Sequence, residues 1–148
     1  MNNGKVQVLI AEDEDFIRDL LADVLRIERF DCVTASDGQQ ALEILRSQRI
    51  DVVVSDIVMP NIDGIELLMT VKQEYPHIPV ILITGKASMT PEEIVAHGAD
   101  GFFRKPFHNV ELVFTLRSVL RRYTRKVEAR RATRYTRSAH IVDTRVPD

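Results

Sequence analysis

Several short segments of this 148-residue chain are apolar at successive rather than alternate positions, and this restricts the fold more than any other feature. Val8-Leu9-Ile10 and Val52-Val53-Val54 are the clearest cases. A strand with one face in water alternates apolar and polar residues, because its side chains point to opposite faces in turn. Consecutive apolar residues need cover on both faces, as in a parallel sheet between two layers of helices. Strands are therefore expected at 6–11, 32–35, 52–55, 80–84 and 101–103.

Between these runs, apolar residues recur every three to four positions, the spacing of one side of a helix. Phe16, Leu20, Val24 and Ile27 form one such set, and Ala41, Leu42 and Leu45 another. Ile65, Leu68 and Val71 follow, then Val110, Val113 and Leu116. Asp37 with Gln40, and Asp63 with Glu66, have the spacing of a helix cap and its partner three residues on. Thr90-Pro91 with Glu93 predicts another helix start, and Gly98 the end of that helix. The chain thus reads β-α five times over, the order of a doubly wound α/β domain. Ligands of such folds bind beyond the carboxyl ends of the strands.

Hydrophobic residues make up 45% of the chain and charged residues 28%, a balance that lets one domain bury a core without staples. Cys32 is the only cysteine, so no intrachain disulfide exists, and its apolar setting reads as core packing. Residues 1–7 do not resemble a signal peptide, and no apolar run approaches the roughly 20 residues that cross a bilayer. A cytoplasmic protein with no membrane association is expected.

Charge is divided unevenly. Residues 1–115 carry 10 basic and 19 acidic residues, net −9, whereas residues 116–148 carry 10 basic and 3 acidic, net +7. The basic stretch reads as a solvated end of the last helix, a contact for nucleic acid or an acidic partner, or a connector. The spacing of Val113, Leu116, Leu120, Tyr123 and Val127 is heptad-like but too brief for a coiled coil. Too little apolar sequence follows Arg122 for a helix-turn-helix, so no DNA-binding domain is expected within this chain.

The expected strand ends hold the chemistry. Glu12-Asp13-Glu14-Asp15 follows the first strand, Asp56 the third, Thr84 the fourth and Arg104-Lys105-Pro106 the fifth. Clustered carboxylates repel one another unless a cation shares the site. Oxygen ligands select a hard ion such as Mg²⁺, which binds phosphate as well. Asp56 is then a candidate nucleophile for a phosphoryl group, with Lys105 and Thr84 to hold the phosphoryl oxygens. Taken singly, each feature has a plainer reading: a solvated acidic loop, a helix cap, a turn. The histidines share no metal-like spacing, no hydrolase triad is apparent, and no glycine-rich phosphate loop follows the first strand.

Four motifs in register make the resemblance specific. They are Val8-Leu9-Ile10-Ala11-Glu12-Asp13-Glu14, the stretch 51–64 containing Asp56-Ile57-Val58-Met59-Pro60-Asn61-Ile62-Asp63-Gly64, Ile81-Leu82-Ile83-Thr84-Gly85, and Arg104-Lys105-Pro106-Phe107. Over residues 5–122 the chain resembles the response-regulator receiver family, leaving 123–148 as a basic extension with no second folded domain. The resemblance implies a chemotaxis-regulator-like, flavodoxin-like fold with five parallel strands in the order 2-1-3-4-5 and five helices. It implies Asp56 as phosphoacceptor, Mg²⁺ held by Glu12, Asp13, Asp56 and the Val58 carbonyl, and a cis Lys105–Pro106 bond. Thr84 and Phe102 match the switch pair, with output through the fourth helix, fifth strand and fifth helix. A sensor histidine kinase or histidine phosphotransfer protein is the implied donor and a downstream effector the implied target, with homodimerisation left open. Such a protein is a signalling switch, not an enzyme in the ordinary sense.

Some positions depart from the family pattern. Glu12 stands where Asp is more usual, and Phe102 where many relatives have tyrosine. Val58 and Lys86, two residues past Asp56 and Thr84, offer no group to activate water, so slow dephosphorylation is expected. Val58 also weighs against a haloacid-dehalogenase-like phosphatase, which needs a second Asp there. A binding or dimerisation module indifferent to phosphate is the other alternative, and Mg²⁺ dependence separates the two.

Overall fold

The structure is a computed structural model that describes residues 4–85 and 89–144, with side chains beyond Arg125 described only at Ala129 and Ala132. Five strands alternate with five helices: β1 (Gln7–Ala11), α1 (Asp15–Ile27), β2 (Asp31–Ala35), α2 (Gly38–Ser47), β3 (Val52–Asp56), α3 (Gly64–Glu74), β4 (Val80–Thr84), α4 (Pro91–Ala96), β5 (Gly101–Arg104) and α5 (Asn109–Thr144). The strands form one parallel sheet in the order β2-β1-β3-β4-β5, as the resemblance implied.

The successive apolar residues serve two cores. Val8, Ile10, Val52, Val54, Ile81 and Ile83 pack with Leu21, Leu25, Leu112 and Leu116 of α1 and α5. Leu9, Val53, Val80 and Leu82 point the other way, onto Leu42, Leu67, Leu68 and Ile94 of α2, α3 and α4. Each wholly buried leucine or isoleucine contributes about 2 kcal/mol. An alternating strand could have supplied only one of these layers.

The helix ends follow the sequence. Asp37 accepts from the Gln40 amide at 2.8 Å, Asp63 from the Glu66 amide at 2.9 Å and Thr90 from the Glu93 amide at 3.2 Å. Pro91 opens α4, and Gly98 follows it with φ of +103°, a left-handed conformation that favours glycine.

In α1 the spaced set faces the wrong way for a core. Phe16 and Ile27 are 79% and 77% exposed and Leu20 is exposed too, while Leu21, Ala22 and Leu25 are buried. This helix carries two neighbouring apolar stripes, and periodicity alone does not say which one meets the sheet. Val110 at the start of α5 and Met69 in α3 are likewise exposed.

The last helix is one continuous element of 36 residues, about 54 Å at the usual rise. Its buried residues, among those described, are Leu112, Val113, Leu116 and Val119, with Leu120 and Tyr123 partly buried against the same core. At Tyr123 it is fastened to the body: the Lys72 ammonium donates to Asp100 Oδ2 at 2.6 Å and to the Tyr123 hydroxyl at 2.7 Å. The Tyr123 hydroxyl donates in turn to Asp100 Oδ1 at 2.9 Å, and Asp100 Oδ2 also accepts from the Val80 amide. Hydrogen bonds to charged partners of this kind exceed ordinary ones in strength.

Candidate functional site

Register brings the strand ends together. Ala11 stands beside Ser55, Asp56 beside Ile83 and Thr84 beside Arg104. The residues just beyond these pairs converge on a cleft of about 320 Å³ lined by Asp13, Glu14, Asp56, Val58, Thr84 and Lys105. Thr84 and Asp56 are buried at its floor, and Val58 is exposed at its mouth.

Lys105 organises the charges. Its ammonium donates to Glu12 Oε1 at 2.7 Å and to Asp56 Oδ2 at 3.1 Å. Glu12 is only 1% exposed, and its other oxygen accepts from the Glu14 amide at 3.2 Å. Burial pushes the Glu12 carboxyl above the usual carboxylate range, although the hydrogen bonds from Lys105 and Glu14 act the other way. Burial acts to lower the Lys105 ammonium, yet its bonds to Glu12 and Asp56 hold it above its ordinary value. The Lys105–Pro106 peptide is cis, as expected.

Backbone packing holds Asp56 in place. Its Oδ1 lies 3.4 Å from the Val58 amide. The first turn of α3 backs directly onto β3, where the Gly64 amide donates to the Ile57 carbonyl at 2.8 Å. A Cβ at Gly64 would collide with the Asp56 carbonyl oxygen, so the approach admits only glycine. Asn61, at φ of +67°, donates from Nδ2 to Asp37 Oδ2 at 2.9 Å and ties the β3–α3 loop to α2.

The donor set suits a hard divalent cation. One carboxylate oxygen each from Glu12, Asp13 and Asp56 lies within 4.8 Å of the others. Asp13 is exposed, so this group opens to solvent. Phe102 is half-buried against the α2–α4 core, with the Arg104 guanidinium 5.9 Å from its ring centroid. Lys86 lies outside the described residues.

A family model described as the response regulator receiver domain matches residues 8–117. The chain belongs to that family. It is a receiver domain of two-component signalling, with the flavodoxin-like architecture that the sequence motifs implied. The heme response regulator HssR of Staphylococcus aureus strain Newman is 40% identical over 119 residues, covering 80% of this chain and 53% of the relative. HssR of strain COL matches equally. The receiver domain spans about half the length of these curated relatives. Among solved structures, chemotaxis protein CheY4 of Vibrio cholerae aligns with a TM-score of 0.71 at 31% identity, over 78% of this chain and 98% of that one. NtrX of Brucella abortus aligns with a TM-score of 0.79 at 30% identity, over 84% of this chain and 29% of that one.

Every residue singled out at the strand ends lies at this edge of the receiver sheet, with Glu12 beneath the cleft rather than lining it. The sequence did not reveal the bond from Asn61 to Asp37 or the network of Lys72, Asp100 and Tyr123. The latter partners are 28 and 23 residues apart, and no spacing rule joins them. No helix among the described residues is long and apolar enough to cross a membrane.

Proposed function

We propose that Asp56 is the phosphoacceptor of this receiver domain and that a phosphohistidine on a sensor kinase or phosphotransfer protein is the donor. A carboxylate oxygen of Asp56 attacks phosphorus, the phosphorus–nitrogen bond to the imidazole breaks, and the imidazole leaves with its electron pair and takes up a proton. The observation that carries this reading is the Lys105 ammonium, 3.1 Å from Asp56 at the floor of an open cleft. It offsets charge where a dianionic phosphoryl group would arrive. Glu12, Asp13, Asp56 and the Val58 carbonyl are the residues to hold Mg²⁺, which when bound would neutralise carboxylate and phosphoryl charge.

Thr84 is the hydroxyl that would meet the new phosphoryl oxygens. Its movement would free space for Phe102 and so alter the face of α4, β5 and α5 read by a downstream effector. An exposed apolar Val58 at the mouth of the cleft supports slow hydrolysis of the acyl phosphate. We assign residues 5–122 to the receiver domain and 123–148 to a basic extension.

Intact mass after incubation with acetyl phosphate tests the assignment. A gain of one phosphoryl group that requires Mg²⁺ and is absent in Asp56→Asn is expected. Labelling that persists in Asp56→Asn overturns the site, and labelling undiminished by chelation overturns the role of the metal. A phosphoryl half-life of seconds overturns slow hydrolysis.

A further inference from the structure

Basic side chains gather at the end of the sheet opposite Asp56, where Asp31, Asp51 and Asp100 also lie. Two clefts open beside the amino ends of the strands, one lined by Lys5, Arg49 and His77 and the other by Lys5, Arg29, Arg117 and Arg121. Their two acids, Asp51 and Glu28, are engaged by Arg49 at 3.3 Å and Arg117 at 3.2 Å. Helix α5 runs down from the Asp56 end and leaves the body between these clefts, where Leu120 lines both. At this point Tyr123 is bonded to Lys72 and Asp100.

The emerging segment continues the same charge. Arg122, Lys126, Arg130 and Arg134 recur at every fourth residue, and Arg137 follows. Because this stretch is helical, those positions share one face, about 6 Å apart along the axis. Nine of the ten basic residues in 116–148 are arginine, whose planar fork pairs with phosphate better than a lysine ammonium does.

We propose that this basic stripe, together with the clefts at its base, binds the phosphate backbone of duplex nucleic acid without reading its sequence. An acidic protein surface is the weaker fit. A helix docking on protein needs an apolar face, and residues 124–140 contain only Val127, Tyr135 and alanines as apolar positions. A single strand fits less well again, because stacking needs aromatic side chains and Tyr135 is the only one beyond the network at Tyr123. Binding of this kind is independent of chemistry at Asp56, which lies at the far end of the sheet.

Fluorescence anisotropy with the full chain tests the proposal, using a labelled 25-base-pair duplex of arbitrary sequence as DNA and as RNA. Binding is expected at 50 mM salt and should weaken by roughly 500-fold at 200 mM, the counterion release of about five phosphate contacts. The quadruple variant R122Q/K126Q/R130Q/R134Q should bind at least about tenfold more weakly at 50 mM salt, with the log–log salt slope reduced by about 3.6. Circular dichroism and acetyl-phosphate labelling at Asp56 in that variant report folding separately, so failure here and failure of the phosphoacceptor reading remain distinct. No binding to either duplex at low salt, or binding unmoved in a folded variant, overturns the proposal. So does equal competition by polyglutamate of matched charge, or self-association that disappears in the variant, which would assign the stripe to the acidic body of a second copy.

Discussion

The Lys105 ammonium lies closer to Glu12, at 2.7 Å, than to Asp56, at 3.1 Å. The buried glutamate therefore holds the lysine beside the acceptor without the acceptor having to neutralise it alone. One cation is shared by two carboxylates, and a third, Asp13, completes a group able to take a divalent ion.

Removing the shared cation should make the fold depend on metal. In Lys105→Met, Glu12 and Asp56 lose their counter-charge, with Glu12 almost fully buried. Millimolar Mg²⁺ should then raise the melting temperature of the variant by several degrees more than that of the wild type, by binding only the native state. Equal shifts in the two proteins, measured by thermal unfolding at neutral pH, would show that the carboxylates do not depend on Lys105.

The same pair sets an alkaline limit. Lys105 is held above its ordinary value of 10.5 in the folded protein, so the native state binds this proton more tightly than the unfolded chain. The stabilisation is complete below about pH 10.5 and is lost as pH rises through the folded value. Stability should fall as pH rises above about 10.5, and the wild-type advantage over Lys105→Met should shrink as it does. Denaturant midpoints at stepped pH measure the difference, and a constant gap would refute it.

Tyr123→Phe removes one hydroxyl from the network that fastens α5. The Tyr123 hydroxyl bonds to both Lys72 and Asp100, so the loss should cost about 1.5 kcal/mol in urea unfolding. Hydrogen exchange should rise in α5 beyond residue 119 while the β3 amides stay protected. A uniform rise across the sheet would mean that the network stabilises the whole core and not the helix end.

Cys32 should be a sluggish thiol. Burial pushes it up to about 11, against an ordinary 9.0, despite the nearby Arg26. At pH 8 the thiolate fraction is about a hundredfold below that of an unperturbed thiol, and its reaction with a disulfide reagent should slow in step. A rate matching free cysteine under native conditions would show that the β2 edge opens readily.

Gly64→Ala tests the close packing behind the acceptor. The new methyl group would meet the Asp56 carbonyl and the Ile57 backbone, so α3 must retreat or β3 must bend. A loss of about 2 kcal/mol or more is expected, the scale of an overpacked core. Retained stability with lost acetyl-phosphate labelling would mean that the strain is taken up by Asp56 itself.

Much of the fold was legible because local rules agreed with the global ones. Val8-Leu9-Ile10 and Val52-Val53-Val54 announced strands covered on both faces, and the caps at Asp37, Asp63 and Thr90 marked helix starts through bonds to amides three residues away. These are short-range consequences of side-chain alternation and backbone satisfaction, and one sequence is enough to state them. The strand-end residues could also be named, because a parallel sheet carries all its carboxyl ends to one edge.

Sequence alone did not decide which face of a helix is buried or which charges meet. Phe16, Leu20 and Ile27 have core-like spacing yet face outward, since α1 offered two apolar stripes and only its placement against β1 and β2 selected Leu21 and Leu25. That Glu12 lies buried under Lys105, 93 residues away, was likewise outside local rules. The sequence determined what each strand end would carry; the register of β1, β3, β4 and β5 decided the distances, because charge pairing over a few ångströms is a property of the assembled sheet.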